Sequence, residues 1–370
     1  MRPHRPLLCS LLPAITALVA PTLALDATST ERVSLGPGGV QANLNSGGGF
    51  GRTISVSDSG RFVAFTSDAS NLVAGDTNGQ QDVFVRDRQA GTTTRCSVGD
   101  AGQQGNGRCE NVTVSNDGRF VAYASRSTNL VPGDANGTWD IYLWDATTGT
   151  SSLVSRGMGG STGNDESYWP SMDEDGDRIV FESEATDLVP GDTNGFQDIF
   201  VYRRAAGTIE VVSVADNEDP ATGGSATPSI SRDGRYVAFA SRSRFDPVDL
   251  TGLADIYVRD LVAGTTDIAP GQAGGFNVDL AEPSVSSGGR YVAFQTRASN
   301  VPGGSTDARW DVYRFDRQTG TIVQVSVART ERTRTPTHSS EGCRSTAPGS
   351  PSRPAPSRSL RACRRSPAAT

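Results

Sequence analysis

The chain has no lysine: all 34 of its basic side chains are arginine. A GC-rich coding sequence explains this more simply than a binding role. Histidine is almost as scarce. His4 lies near the amino terminus and His338 near the carboxyl end, so the body between them has none. That excludes a Ser-His-Asp or Cys-His site from the body, and with it His-ligated zinc or iron and histidine-assisted polysaccharide lyase chemistry. The Gly-x-Ser-x-Gly match at Gly159 to Gly163 falls within the repeats and leads into no hydrolase domain, for which no room remains. Only two of the five cysteines, Cys96 and Cys109, fall in the body.

Long apolar runs are also missing, with one exception. Leu7 to Ala24 follows Arg2 and Arg5, is broken by Pro13 and Pro21, and ends in Thr22-Leu23-Ala24, which offers small residues at the cleavage positions. It is short for a membrane span and reads as a cleaved secretory signal over residues 1–24. A periplasmic or extracellular location follows, with no integral span after cleavage. Export favours a disulfide between Cys96 and Cys109, which would add roughly 3 kcal/mol by closing a short loop. The alternative is two unpaired thiols.

Acids are abundant. Setting aside residues 1–24 and 329–370, the chain holds 23 Arg against 39 Asp and Glu, a net charge near −16. Such a body disfavours nucleic acid as a partner. With 42 Gly and 20 Pro, the composition suits short strands and tight turns.

The main signal is a repeat. Five turns recur: Ser57-Asp58-Ser59-Gly60-Arg61, Ser115-Asn116-Asp117-Gly118-Arg119, Asp173-Glu174-Asp175-Gly176-Asp177, Ser231-Arg232-Asp233-Gly234-Arg235 and Ser286-Ser287-Gly288-Gly289-Arg290. An apolar strand such as Phe120-Val121-Ala122-Tyr123 follows each. Next come an Asp-Ile-Tyr-Val strand, as at Asp255-Ile256-Tyr257-Val258, and a Thr/Val strand. The turn glycines are 58, 58, 58 and 55 residues apart. With a short strand before each turn, every unit has four strands. Glycine supplies the positive φ of the hairpin. The prediction is all-β: a β-propeller of four-stranded blades with five complete units over residues 30–328. A series of β-sandwiches would need a longer period.

The Ser-x-Asp-Gly-Arg-Tyr-Val-Ala-Phe unit resembles the WD40-like (PD40) repeat of TolB-type propellers over roughly residues 30 to 328. The resemblance implies an exported propeller whose loops bind proteins. Two departures argue against a Tol–Pal role: an Asn-Leu-Val-Pro-Gly-Asp insertion, as at Asn129 to Asp134, and no N-terminal α/β domain before the repeats.

Glu31-Arg32-Val33-Ser34-Leu35 looks like a fourth strand without its partners. By the period, a sixth turn glycine belongs near Ala347, where nothing matches. Residues 329–370 are Arg, Pro, Ser and Thr with little apolar pattern, which predicts a disordered tail. The abrupt change suggests a tail out of frame relative to a longer, six-bladed ancestor. An unclosed ring would expose a sheet flank and favour self-association.

Two constellations could carry chemistry. Asp76-x-Asn78-x-x-x-Asp82, Asp134-x-Asn136-x-x-x-Asp140 and Asp192-x-Asn194-x-x-x-Asp198 precede strand three. The fourth unit keeps Asp249 and Asp255; the fifth has Ser305, Asp307 and Asp311. Carboxylates around an Asn-Gly turn could hold Ca²⁺, but plain turn architecture uses the same residues. The acids Asp173, Glu174, Asp175, Asp177, Glu182 and Glu184 could hydrolyse glycosides if two stood at the right separation. Trp139 and Trp310 share one loop position and could form a sugar- or protein-binding rim or simply pack; Trp144 and Trp169 are the other two tryptophans. The expectation is a noncatalytic scaffold binding protein or cell-envelope polymer. The alternatives are a carboxylate-dependent glycan-active enzyme and a calcium-binding structural propeller.

Overall fold

The computed structural model describes residues 30–48, 52–245, 252–271, 276–278, 280–304, 307 and 309–327. The signal segment, the tail, Asp249 and Ser305 lie outside them. The described residues form five four-stranded antiparallel sheets, each a simple meander. Blade 1 is β1 (Ile54–Val56), β2 (Phe62–Ser67), β3 (Asp82–Asp87) and β4 (Thr92–Arg95). Blade 2 is β5 (Cys109–Val114), β6 (Phe120–Ser125), β7 (Asp140–Asp145) and β8 (Thr150–Leu153). Blade 3 is β9 (Ser167–Met172), β10 (Arg178–Ser183), β11 (Asp198–Arg203) and β12 (Thr208–Val211). Blade 4 is β13 (Ser225–Ile230), β14 (Tyr236–Ser241), β15 (Asp255–Asp260) and β16 (Thr265–Ile268). Blade 5 is β17 (Ala281–Val285), β18 (Tyr291–Thr296), β19 (Asp311–Asp316) and β20 (Thr321–Gln324). The chain is a β-propeller, as the repeat predicts.

The core lies between blades, which explains why the second and third strands are apolar on both faces. Ala64, Val83 and Val85 of blade 1 meet Val121, Tyr123 and Tyr142 of blade 2. Ala122, Ile141 and Leu143 of blade 2 meet Ile179, Phe181 and Phe200 of blade 3. Blades 3 and 4, and 4 and 5, repeat the arrangement. Each blade turns a stacked aromatic pair backward, with ring centroids 5.8 to 6.1 Å apart, as in Tyr123–Tyr142 and Phe294–Tyr313.

The turn motif has a structural role for each residue. The Ser115 hydroxyl accepts the Phe120 N–H at 2.9 Å, and Ser57, Ser231 and Ser286 do the same in their blades. The arginine pairs with the aspartate that ends strand three, through two hydrogen bonds: Arg119 to Asp145 at 3.0 and 2.9 Å, for example. It also lies over the next aromatic ring, 4.6 Å from the Phe120 centroid. In blade 3 Asp177 takes the arginine's place and faces Arg204, one residue past the end of β11, at 3.5 Å.

Candidate functional site

The innermost strands β1, β5, β9, β13 and β17 surround a central channel of about 570 Å³. One hydroxyl per blade lies along it, at Ser55, Thr113, Ser171, Ser229 and Ser284. Three of them accept a backbone N–H from the following blade: Ser55 from Val114 at 3.2 Å, Ser171 from Ile230 at 3.3 Å, Ser229 from Val285 at 3.4 Å. These serines join blades whose inner strands do not pair.

Four of the five inner strands carry a β-bulge. In β5, Asn111 and Val112 stand opposite the single residue Tyr123, and equivalent register breaks occur in β9, β13 and β17. The bulged residues Asn111, Trp169, Thr227 and Glu282 have φ of 51°, 54°, 54° and 48°. Side chains rarely adopt that conformation, and bulges of this kind re-aim them. Blade 1 places Thr53 at the equivalent position, next to Arg52. Trp169, Thr227, Glu282 and Arg52 all line the channel.

The channel is charged as well as polar. Burial pulls the Arg52 guanidinium below its ordinary value, against the influence of Glu282 and Glu182. Glu182 is buried where Ala124 and Ala240 stand in other blades. Its Oε2 accepts the Thr227 N–H at 2.6 Å, and burial pushes its carboxyl up to about 7. Glu282 is hydrogen-bonded to Gln295. At the end where the hairpin turns meet, a belt runs through four blades. Asp58 N–H donates to Asn116 Oδ1 at 3.0 Å, Asn116 N–H to the Glu174 carbonyl at 2.8 Å, and Glu174 N–H to the Arg232 carbonyl at 3.0 Å. The Arg232 guanidinium closes it on Asp58 at 2.6 Å.

Sequence reasoning missed these channel residues. The signal was available: they differ from unit to unit while their neighbours repeat, and Trp169, Thr227 and Glu282 each precede a proline inside a strand. Proline belongs at a sheet edge or a bulge, and these inner strands have both.

The Asp-x-Asn-Gly loops hold their own side chains. Asn78 donates to Asp82 Oδ2 at 3.0 Å and to the Gly105 carbonyl at 2.9 Å, while its Oδ1 accepts the Gln80 N–H at 3.1 Å. Asp82 Oδ1 accepts the Ser97 hydroxyl at 2.5 Å. Asn136–Asp140–Ser155 and Asn194–Asp198–Ser213 repeat the network. In blade 1 the Arg95 guanidinium lies 3.4 Å from Asp76 and 3.7 Å from Asp82, where a cation would have to sit. In blade 2, Asp134 accepts the Tyr142 hydroxyl. Among the described residues of these loops, the buried side-chain oxygens left without a partner are Asp134 Oδ1, Thr138 Oγ1 and Asp192 Oδ1. Calcium takes six to eight oxygens. Among the described residues no three His, Cys, Asp or Glu side chains converge as metal ligands. Melting in millimolar Ca²⁺ and in chelator is expected to give the same Tm; a rise with Ca²⁺ would assign the ion to blades 2 and 3, which lack an arginine at the Arg95 position.

Two of the acids considered for glycoside hydrolysis are engaged in hydrogen bonds within the fold. Asp173 Oδ1 accepts the N–H groups of Asp177 and Arg178, which caps its own turn, and Glu182 is held by the next blade. Trp139 is buried against Tyr168 at 5.9 Å with Arg126 over its ring, whereas Trp310 is exposed.

The expected disulfide is not formed: Cys96 and Cys109 are free, buried thiols. Cys109 Sγ faces the Ser125 hydroxyl at 3.4 Å within its own blade, and the Cys96 thiol faces the Thr94 carbonyl at 3.9 Å. Burial pushes the Cys109 thiol up to about 12 and the Cys96 thiol well above its usual value. Both are expected to resist a thiol reagent in the native protein at pH 8 and to react on unfolding. Fast native labelling would contradict the buried placement.

No family model and no curated protein sequence matches the chain. Solved structures do resemble it. TolB from Acinetobacter baumannii is 17% identical, over 73% of this chain and 52% of that one, with TM-score 0.45. A putative TolB from Agrobacterium tumefaciens is 16% identical, over 77% and 81%, with TM-score 0.46. An oligogalacturonate lyase in complex with manganese is 12% identical, over 77% and 67%, with TM-score 0.49. The shared feature is the propeller fold. The chain spans about half the length of the Acinetobacter TolB. Among the described residues no helix is long and apolar enough to cross a membrane.

Proposed function

We propose that this chain is a noncatalytic, exported propeller that binds a protein or cell-envelope polymer in its central channel, in a periplasmic or extracellular setting. The observation that carries the reading is the ring of bulged positions. Backbone conformation that side chains rarely adopt is kept at the same place in four blades, and the residues placed there, Asn111, Trp169, Thr227 and Glu282, are all different. Architecture alone would repeat the residue as well as the bulge. A tryptophan, a guanidinium and a row of hydroxyls offer stacking, charge and hydrogen bonding to an extended ligand. They offer no nucleophile activated by a neighbouring base and no pair of free carboxylates.

Trp169→Ala and Arg52→Gln test the reading. Each is expected to fold and to bind envelope material at least tenfold more weakly than the parent. Thr94→Ala, on an outer strand, is expected to bind as the parent does. A glycan panel is expected to show no turnover; turnover abolished by changing one Asp or Glu would replace this reading with the enzymatic one.

A further inference from the structure

The loops before strand three are alike in sequence, yet blade 3 leaves open a space that blade 1 fills with an arginine. In blade 1 the Arg95 guanidinium lies 3.4 Å from Asp76 and 3.7 Å from Asp82, and it donates to Gln104 Oε1 at 3.0 Å. Arg95 stands opposite Phe84 in the β3–β4 ladder, and Val211 stands opposite Phe200 in the β11–β12 ladder. Val211 is therefore the counterpart of Arg95. In the loop that follows, Gln104 bridges to Val98 and Pro220 bridges to Val214, so Pro220 replaces Gln104. Blade 3 keeps both aspartates, Asp192 and Asp198, but has neither the guanidinium that pairs with them in blade 1 nor the amide that orients it.

A cavity of about 130 Å³ results, lined by Asp192, Asn194, Asp198, Val211, Glu218 and Pro220 among others. A water fills about 30 Å³, so the space suits roughly four heavy atoms, the size of a guanidinium. None of its lining residues lines the central channel. Asp192 Oδ1 is buried without a hydrogen-bond partner, which is costly for a carboxylate. The hydroxyl that engages the equivalent Asp134 in blade 2 comes from Tyr142, and blade 3 has Phe200 at that place. Asp198 keeps bonds to Ser213 and Asn194, both at 2.6 Å, as Asp82 keeps its own beside Arg95. Glu218 is paired with Arg259, so the uncompensated charge in the cavity belongs to the two aspartates.

We propose that the blade 3 cavity binds a guanidinium group, carried on an arginine side chain of a ligand, in the place that Arg95 holds in blade 1. Blade 1 shows the occupant, and blade 3 presents the same two carboxylates with that occupant removed. Calcium would need six to eight oxygens, whereas a planar guanidinium is satisfied by carboxylates along its edges.

The test titrates Nα-acetyl-L-arginine amide into the full chain by calorimetry. Binding is expected on the order of 1 mM, the scale of a small group held by an ion pair and a few hydrogen bonds. The corresponding lysine amide is expected to bind about tenfold more weakly, because an ammonium lacks the planar fork. Asp192→Asn is expected to weaken arginine binding about tenfold. Val211→Arg supplies the side chain from within; it is expected to abolish binding and to raise Tm by roughly 2–4 °C. If that variant fails to fold, the isosteric Asp192→Asn still decides. Trp169→Ala is expected to bind as the parent does, which separates this site from the channel. Free L-arginine distinguishes the source: affinity equal to that of the amide assigns the amino acid itself, and weaker affinity assigns an arginine within a polypeptide. No binding at about 50 mM, equal binding of the lysine amide, or undiminished binding by Asp192→Asn or a folded Val211→Arg would overturn the inference.

Discussion

Gly118→Ala is expected to destabilise the protein by roughly 3 kcal/mol, from a positive-φ cost of about 1–2 kcal/mol and an overpacking cost of similar size. Gly118 has φ of +72°, and a Cβ there would come within 2.3 Å of the Phe62 ring in the preceding blade. The turn glycine thus serves two needs, the hairpin conformation and the close approach of neighbouring blades. Gly289 repeats the arrangement, with the Tyr236 ring at 2.4 Å. Gly149 is an internal control: its φ is +71°, and nothing lies within 4 Å of the added Cβ. Gly149→Ala is expected to lose only about 1–2 kcal/mol. Urea unfolding of both variants measures the difference. Equal losses would mean that Gly118 is a turn residue and nothing more.

The second large effect is on pH dependence. Burial raises three carboxyls in the folded protein: Asp82 to about 6, Asp140 to about 7 and Glu182 to about 7. The folded protein then holds these protons more tightly than the unfolded chain does. Their stabilising contribution is complete below the ordinary carboxyl value and is lost as pH rises through 6 and 7, at about 1.4 kcal/mol per pH unit for a single group. Asp87, Asp260 and Asp316 act the other way. Their arginine partners hold them near 2, so their contribution is present above the ordinary value and lost as pH falls toward 2. These three ion pairs are solvent-screened and therefore weaker. Tm is expected to peak between about pH 4 and 5 and to fall toward pH 8. Asp140→Asn is expected to flatten that fall, because its Ser155 and Asn136 partners remain while the titrating group is gone. A Tm that climbs steadily to pH 8 would show that these carboxyls are solvated.

Much of the fold was legible because propeller units repeat in phase. The turn at Gly118, the strand at Phe120 and the Asp140 strand each carry a local signature, and five copies remove the ambiguity of one. The arginine of the turn was visible as a motif but not as a partner of Asp145, since that contact joins residues from different strands. The loop acids were legible as a cluster, but not their satisfaction by Ser97, Ser155 and Ser213 from the following strand. The thiols were misjudged for a related reason: nearness in sequence does not set the direction of a side chain. The channel residues are the hardest to read, because a repeat marks what recurs and these residues do not recur.

The measurement that bears most directly on the central claim is binding of envelope material to the parent and to Trp169→Ala, at matched stability. Trp169 lines the channel, at the bulged position of β9. The account predicts binding by the parent and a loss of at least tenfold in the variant. Equal binding by both would place the function elsewhere and leave the bulged ring without the role assigned to it.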